Sequence, residues 1–466
     1  MQDHALPRFG TDGVRGRAIA EITPEYVLAL GRAVARVLNP DRLLIAHDPR
    51  LSGPILEAAF AAGAAAEGVE VELLGMLPTP AVAALSAMEG VPGVVVTASH
   101  NGYLDNGVKV FAAGGLKVSD DDQRAIETEV AASKNPASNI AASGESAGSL
   151  LRRPDAAALY MDRLAGSYPE SPLSGLRIVV DAANGAMSEV APRLLERLGA
   201  EVISMNVAPN GMNINERCGA TSPQALCEFV ANLSSHDGGL SVDLGFAFDG
   251  DGDRLIAVDE RGRVVDGDRL IALSALDRRG RGQLLGDGVV VTVMSNLGFH
   301  RAMKSADIEV VTTAVGDRSV LDAMTLHGFV LGGEQSGHII HRDLATTGDG
   351  LLAAIELARL YRHRRTESGE LFSDMAGRVM ETFPQVLRNV SLDRPSGSRI
   401  DSIFDPAVDL ADDIDRARAE LGDDGRVLVR ASGTEPLVRV MVEASTEQRA
   451  REVADRLVEA VQARYC

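Results

Sequence analysis

Three aspartates recur at alternate positions in the stretch Asp249-Gly250-Asp251-Gly252-Asp253-Arg254. Carboxylates spaced this way can converge on one cation if the backbone curls, and the interleaved glycines permit the curl without side-chain bulk. Oxygen ligands alone, with no histidine or cysteine, suit Mg²⁺ or Ca²⁺. A solvated acidic turn is the plain alternative, but like charges this close repel one another without a cation. An EF-hand does not fit. Counting from Asp249, Glu260 falls where that loop needs its last ligand, but Arg254 falls where it needs glycine, and Leu255–Val258 reads as a strand.

Four other polar loops carry groups of chemical interest. In Thr97-Ala98-Ser99-His100-Asn101-Gly102 a serine ends a hydrophobic run. A serine reacts as a nucleophile only with a base, a metal or a phosphoryl group to accept. Its adjacency to His100 argues little, because neighbours in an extended segment point apart. Lys109 follows on the next run and suits a proton shuttle or a phosphate contact, against the usual solvated lysine. In Gly332–His338 the residues Glu334, Ser336 and His338 alternate, so that they can face one ligand, and a carboxylate with a hydroxyl suits sugar hydroxyls. Arg430-Ala431-Ser432-Gly433-Thr434-Glu435-Pro436 offers a cradle of donors for a phosphate dianion through Arg430, Ser432, Gly433 and Thr434. It lacks the lysine and the following helix of a Walker A loop. The N-terminal Phe9–Gly16 loop presents Arg15 to an anion. A serine, a carboxylate metal loop, a reader of sugar hydroxyls and a phosphate cradle together point to phosphoryl transfer on a phosphosugar.

The elements that must position these loops come in triplets. Strand-like runs occur at 42–48, 69–75 and 93–99, again at 176–182, 200–206 and 244–250, and again at 288–294, 308–314 and 328–334. Such continuous β-branched runs predict strands buried on both faces. Helical stretches at Leu56–Glu67, Ser188–Leu198 and Leu297–Ser305 separate the first two members of each triplet, which predicts α/β units. In every triplet the third run leads into one of the polar loops. Ligands of open α/β sheets gather beyond the carboxyl ends of the strands, so three such loops can line one site. The segment Ser133–Leu150 is weakly patterned and reads as a linker. Beyond Glu370 the triplet order stops, and runs at 386–392, 426–432 and 438–444 with a closing helix predict a smaller α+β domain. The expected domains are 1–152, 153–256, 257–369 and 370–466.

The chain has 466 residues, of which 45% are hydrophobic and 24% charged, an ordinary globular composition. Lys plus Arg is 46 and Asp plus Glu is 66, a formal charge of −20. This argues against nucleic acid or anionic lipid as the main partner and leaves a small phosphorylated substrate open. There is no membrane-spanning run and no apolar secretory segment at the N-terminus. Three cysteines suggest a reducing compartment without a disulfide framework, so a cytoplasmic location is expected.

The five loops, in this order, resemble those of the α-D-phosphohexomutase family over essentially the whole chain. Within it, FGTDGVRG at 9–16, NINERCGAT at 213–221, GGEQSGHII at 332–340 and TTGDGL at 346–351 are similar to members acting on glucosamine phosphates. The resemblance implies three related α/β domains with mixed sheets and a C-terminal α+β domain around a central cleft. It implies a phosphoserine at Ser99 and one Mg²⁺ held by Asp249, Asp251, Asp253 and the Ser99 phosphate. Lys109 would act as general acid/base with His100 in support. Arg15 and Arg254 would offset charge, Glu334, Ser336 and His338 would bind the sugar, and Arg430, Ser432, Gly433 and Thr434 would hold the phosphate that is not transferred. The implied reaction interconverts glucosamine 6-phosphate and glucosamine 1-phosphate through a 1,6-bisphosphate. Phosphomannomutase or phosphoglucomutase activity is the alternative, and a homodimer is left open. Gly102 stands where many members carry proline, and Ala431 where many carry a longer residue.

Overall fold

The computed structural model describes residues 7–10, 13–132, 147–235, 241–392, 406–431 and 437–465. They form four sheets. The first holds β1 (Val14–Arg17), β2 (Arg42–His47), β3 (Glu70–Met76), β4 (Gly93–Val96), β5 (Asp105–Phe111) and β6 (Leu150–Arg152) in the order β1-β5-β4-β2-β3-β6. The second holds β7 (Arg177–Asp181), β8 (Glu201–Met205), β9 (Leu244–Phe248), β10 (Leu255–Asp259) and β11 (Val264–Val265) in the order β11-β10-β9-β7-β8. The third holds β12 (Gly288–Thr292), β13 (Glu309–Thr313), β14 (Leu331–Gly333) and β15 (Ile339–His341) in the order β13-β12-β14-β15. The fourth is antiparallel, with β18 (Leu437–Ala444) between β16 (Gln385–Ser391) and β17 (Gly425–Ala431).

Each triplet appears as three parallel strands with the first in the centre: β3-β2-β4, β8-β7-β9 and β13-β12-β14. The chain then turns back, and β5, β10 and β15 pair antiparallel with β4, β9 and β14. The chemistry-bearing loops are those reversals, so each is pinned at both ends by a strand. Strands β4, β9 and β12 are buried along their length, as the β-branched runs predict. The outer strands β8 and β13 are partly exposed, because an edge strand has a neighbour on one side only.

The chain divides into two compact units, Met1–Met294 with Ile308–Arg378, and Ser295–Asp307 with Val379–Cys466. Three expectations change. The second sheet runs on to Val265, past the boundary expected at 256, because β10 folds back on β9 and β11 on β10. Helix Phe372–Val379 belongs mostly to the first unit, past the boundary expected at 369. The expected linker ends in a strand, since β6 pairs parallel with β3, while residues 133–146 lie outside the described residues. In the second unit the helix Leu297–Ser305 is tied to β18 by Leu297 N, which donates to Glu443 Oε2 at 2.8 Å. No helix among the described residues is long and apolar enough to cross a membrane.

Candidate active site

Strand β4 delivers the serine loop. Its valines are buried, and Thr97 continues the strand, its N–H donating to Gly107 O at 3.0 Å. Ser99 itself is left-handed, with φ 51°, and almost fully buried. That conformation costs a non-glycine residue about 1 kcal/mol and persists only where the surroundings impose it. The Ser99 N–H donates to Thr97 Oγ1 at 2.9 Å, and the Thr97 hydroxyl donates to Asp48 Oδ2 at 2.6 Å. The turn aims the serine hydroxyl at Asp249, to whose Oδ2 it donates at 2.7 Å. Because the loop is turned rather than extended, Ser99 Oγ also lies 3.4 Å from His100 Nδ1, a closeness that an extended segment would forbid. Burial, with Arg254 and Arg15 nearby, pushes the His100 imidazole down to about 4, so it is neutral near pH 7.

The metal loop is the reversal between β9 and β10, whose register closes at Phe248 and Leu255. Gly252 takes φ 75° within it. The three aspartates are buried, and one oxygen from each comes within 4.8 Å of the others. Asp249 Oδ1 accepts from Arg254 N at 3.2 Å. Lys109 on β5 donates to Asp251 Oδ2 at 2.8 Å and Asp253 Oδ2 at 3.0 Å, and the Thr79 hydroxyl donates to Asp251 Oδ2 at 2.6 Å. The second oxygens, Asp251 Oδ1 and Asp253 Oδ1, are buried with no hydrogen-bond partner. Burial, reinforced by Asp253 and Asp251, holds the Asp249 carboxyl well above the usual range. Burial would raise Asp253 too, but Lys109 and His338 outweigh it and hold that carboxyl well below. Orphaned carboxylate oxygens in an all-oxygen donor set fit Mg²⁺, a hard cation.

The third loop docks onto the second. Arg254 and His338 form an isolated antiparallel bridge, and Leu255 N donates to Gly337 O at 2.9 Å. His338 is buried, with Nδ1 3.7 Å from Asp253 Oδ1 and Nε2 3.9 Å from Asp317 Oδ2. Burial lowers its pKa, but Asp253 chiefly raises it, to about 9. Glu334 accepts from Gly316 N at 3.0 Å, and the exposed Ser336 donates to Glu334 at 3.4 Å. The three residues do not alternate along a strand. Gly337 N donates to Glu334 O at 3.0 Å, so the segment is a turn, with His338 aimed at the metal loop and Ser336 at solvent.

The structure thus brings together Ser99, His100, Lys109, the three aspartates, Arg254 and His338. Arg15 is on β1 opposite Gly107, close to His100, Glu334 is half-buried near Arg254, and Ser336 is exposed. Arg430 is on β17 in the second unit, cross-strand from Arg439 of β18. Burial, then Arg439, pushes its guanidinium pKa down, a strain that an anion would relieve. Ser432, Gly433 and Thr434 lie outside the described residues. Sequence reasoning missed Asp48, Arg50, Thr79, Asn215 and Arg439. The Asp48-Pro49-Arg50 turn after β2 was the readable signal, since it leaves the sheet from the same strand ends as the serine loop.

Family models for phosphoglucomutase/phosphomannomutase match along the chain: alpha/beta/alpha domain I over residues 7–137, domain II over 158–262, domain III over 266–379 and the C-terminal domain over 387–460. The phosphoglucosamine mutase of Saccharopolyspora erythraea is 47% identical over 463 residues, 98% of this chain and 99% of that protein. That of Desulforudis audaxviator is 47% identical over 458 residues, 97% of each. Among solved structures, a phosphoglucomutase/phosphomannomutase family protein from Burkholderia thailandensis superposes with TM-score 0.76 at 25% identity over 97% of each chain. An N-acetylphosphoglucosamine mutase from Aspergillus fumigatus shares the fold at TM-score 0.70 and 18% identity, over 100% of this chain and 97% of that one.

Proposed function

The chain belongs to the phosphoglucomutase/phosphomannomutase family of phosphohexomutases, and from that premise we propose that it interconverts glucosamine 6-phosphate and glucosamine 1-phosphate, with Ser99 as the phosphoryl carrier. The observation that carries the chemistry is the buried Ser99 hydroxyl 2.7 Å from Asp249, at the edge of three convergent carboxylates. What supports glucosamine over mannose or glucose is full-length similarity to phosphoglucosamine mutases.

In the forward half-reaction the P–Oγ bond of phosphoserine breaks and a bond forms from phosphorus to O1 of glucosamine 6-phosphate. The sugar hydroxyl gives up its proton, and Ser99 Oγ recovers one. In the second half the O6–P bond of the 1,6-bisphosphate breaks and the Oγ–P bond re-forms, the Ser99 proton passes to O6, and glucosamine 1-phosphate leaves. Asp249, Asp251 and Asp253 would hold Mg²⁺ together with a phosphoserine oxygen. When bound there, Mg²⁺ would supply Lewis-acid withdrawal of charge from the phosphoryl oxygens. Lys109 is assigned the proton transfer at the sugar hydroxyl, and neutral His100, 3.4 Å from Oγ, supports it. Arg15 and Arg254 offset part of the charge of roughly −1.5 to −2 on phosphoserine. Glu334 and Ser336 are assigned to sugar hydroxyls, with His338 orienting Asp253. Arg430, with Ser432, Gly433 and Thr434, is assigned to the phosphate that is not transferred. We keep four domains for the chain and place the protein in the cytoplasm.

Rates on glucosamine 6-phosphate, mannose 1-phosphate and glucose 1-phosphate test the substrate. The glucosamine ester is expected to turn over fastest, and a faster rate on either other sugar overturns the assignment. Intact mass tests the carrier: one added phosphate is expected, mapped to Ser99.

A further inference from the structure

Two side chains outside the proposed chemistry converge on the main-chain carbonyl of Ser99. Arg50 Nη2 donates to Ser99 O and to Asn101 O, both at 2.9 Å, while its Nη1 donates to Asp105 O at 3.0 Å and to Gly102 O. Asn215 Nδ2 donates to the same two carbonyls, Ser99 O at 2.9 Å and Asn101 O at 3.0 Å. Arg50 is 1% exposed, and its Nε is paired with fully buried Asp48 at 2.8 Å. Through Thr97, Asp48 also secures the Ser99 amide. Both main-chain polar groups of the serine are therefore held, the amide from one side and the carbonyl by two donors.

A buried ion pair is a weak way to gain stability, because desolvation offsets much of its attraction. Here the guanidinium fork is used on four carbonyls of one loop, which fixes geometry. Asn215 lies in the turn that follows β8, in the NINERCGAT segment, and is itself left-handed at φ 58°. Its own N–H donates to Ala183 O at 2.9 Å, which anchors it to the end of β7. It reaches Ser99 past Gly250, the residue between the first two metal-loop aspartates. A methyl group on Gly250 would lie 2.6 Å from both Asn215 Nδ2 and Ser99 O. The clasp closes only because that position is glycine.

We propose that Arg50 and Asn215 are positioning residues that hold Ser99 in its left-handed turn, keeping its hydroxyl oxygen on the Asp249 side in both half-reactions. The inference rests on Ser99 being the phosphoryl carrier. The carrier alternates between a neutral hydroxyl and a dianionic ester, so its backbone must be fixed by groups that do not depend on which is present. These donors meet that need, since the bonds they make to the loop go to carbonyls.

The test is phosphorylation of the dephosphorylated, Mg²⁺-loaded enzyme by glucose 1,6-bisphosphate, followed by intact mass on quenched samples. In that step a sugar O–P bond breaks, the Oγ–P bond forms, and the serine proton ends on the sugar oxygen. Asn215→Ala removes the donor, Asn215→Asp places an oxygen where the donor was, and Arg50→Lys keeps the charge but loses the fork. Each is expected to slow phosphorylation about 100-fold, the scale of a misplacement near 1 Å. Mg²⁺ affinity by calorimetry and KM for the bisphosphate are expected to be unchanged. Wild-type rates in Asn215→Asp overturn the inference. So does a deficit that only tracks a smaller folded fraction, which would assign the clasp to stability alone. If the wild-type enzyme takes no phosphate on Ser99, the reading of the site fails, and the inference with it.

Discussion

The serine loop and the metal loop meet across 2.7 Å, and they differ in what their contacts leave open. The serine loop is gripped on its carbonyls by two side chains from outside it, Arg50 and Asn215, while its own Thr97 holds the Ser99 amide. The metal loop is held from outside as well, with Ala186 N on Gly250 O, Thr79 N on Asp251 O and Lys109 on Asp251 and Asp253, yet it keeps two carboxylate oxygens without partners. The first loop is complete before any ligand arrives, and the second is completed by one. A group that shuttles a phosphoryl unit needs a fixed origin whatever it carries. A cation site needs ligand oxygens that protein contacts have not already taken.

The sharpest way to break this comparison is at the serine. Ser99→Ala leaves both loops in place but removes the carrier, and turnover of glucosamine 6-phosphate is expected to fall by about 10⁴-fold or more. Asp249 loses a hydrogen-bond donor, so some stability goes as well, but steady-state rates per folded molecule separate the two effects. Activity within tenfold of wild type would show that Ser99 is not the carrier.

Metal removal separates the loops next. EDTA is expected to abolish turnover. At a Mg²⁺ concentration about 100 times its dissociation constant, unfolding in urea should become harder by about 2.7 kcal/mol. Asp251→Asn is expected to erase most of that increment and Asn215→Ala to leave it whole. An increment lost equally in both variants would mean that the loops form one cooperative structure, and the contrast would disappear.

The contact between the loops is tested by Gly250→Ala. Its methyl would need space held by two atoms of the clasp, so the cost is about 1–3 kcal/mol by urea titration, as for overpacked sites. Phosphorylation of Ser99 is expected to slow with it, because the cheaper relaxation moves Asn215 away rather than strand β9.

Legibility followed the same division. The metal loop could be read residue by residue, because alternate aspartates and glycines in one short segment carry their own reason for being there. The triplets of β-branched runs gave the parallel strands for a similar reason: burial on both faces writes itself into consecutive positions. The clasp could not be read. Arg50 lies 49 residues before Ser99 and Asn215 lies 116 after it, and a lone arginine or asparagine says nothing of the carbonyl it will meet. His338 was legible as a site residue but not in its direction, since alternation presumes a strand and Gly333–His338 turns. The return strand β11 was missed as part of the second domain because a short apolar run does not say with which neighbour it will pair.

Gly102 gives the smallest and most discriminating effect. A glycine at that position leaves the chain free in the unfolded state. A methyl group at Gly102 would have no neighbour within 4 Å, and its φ is not among the positive ones. Gly102→Ala keeps the carbonyl that Arg50 holds. It is expected to raise stability by about 0.4–1 kcal/mol through the unfolded chain. Turnover should stay at the wild-type level, because a loop fixed by outside donors does not draw its geometry from the freedom of one residue. If turnover falls instead while stability rises, the serine loop must flex during the cycle, and the clasp is a latch that opens rather than a fixed mount.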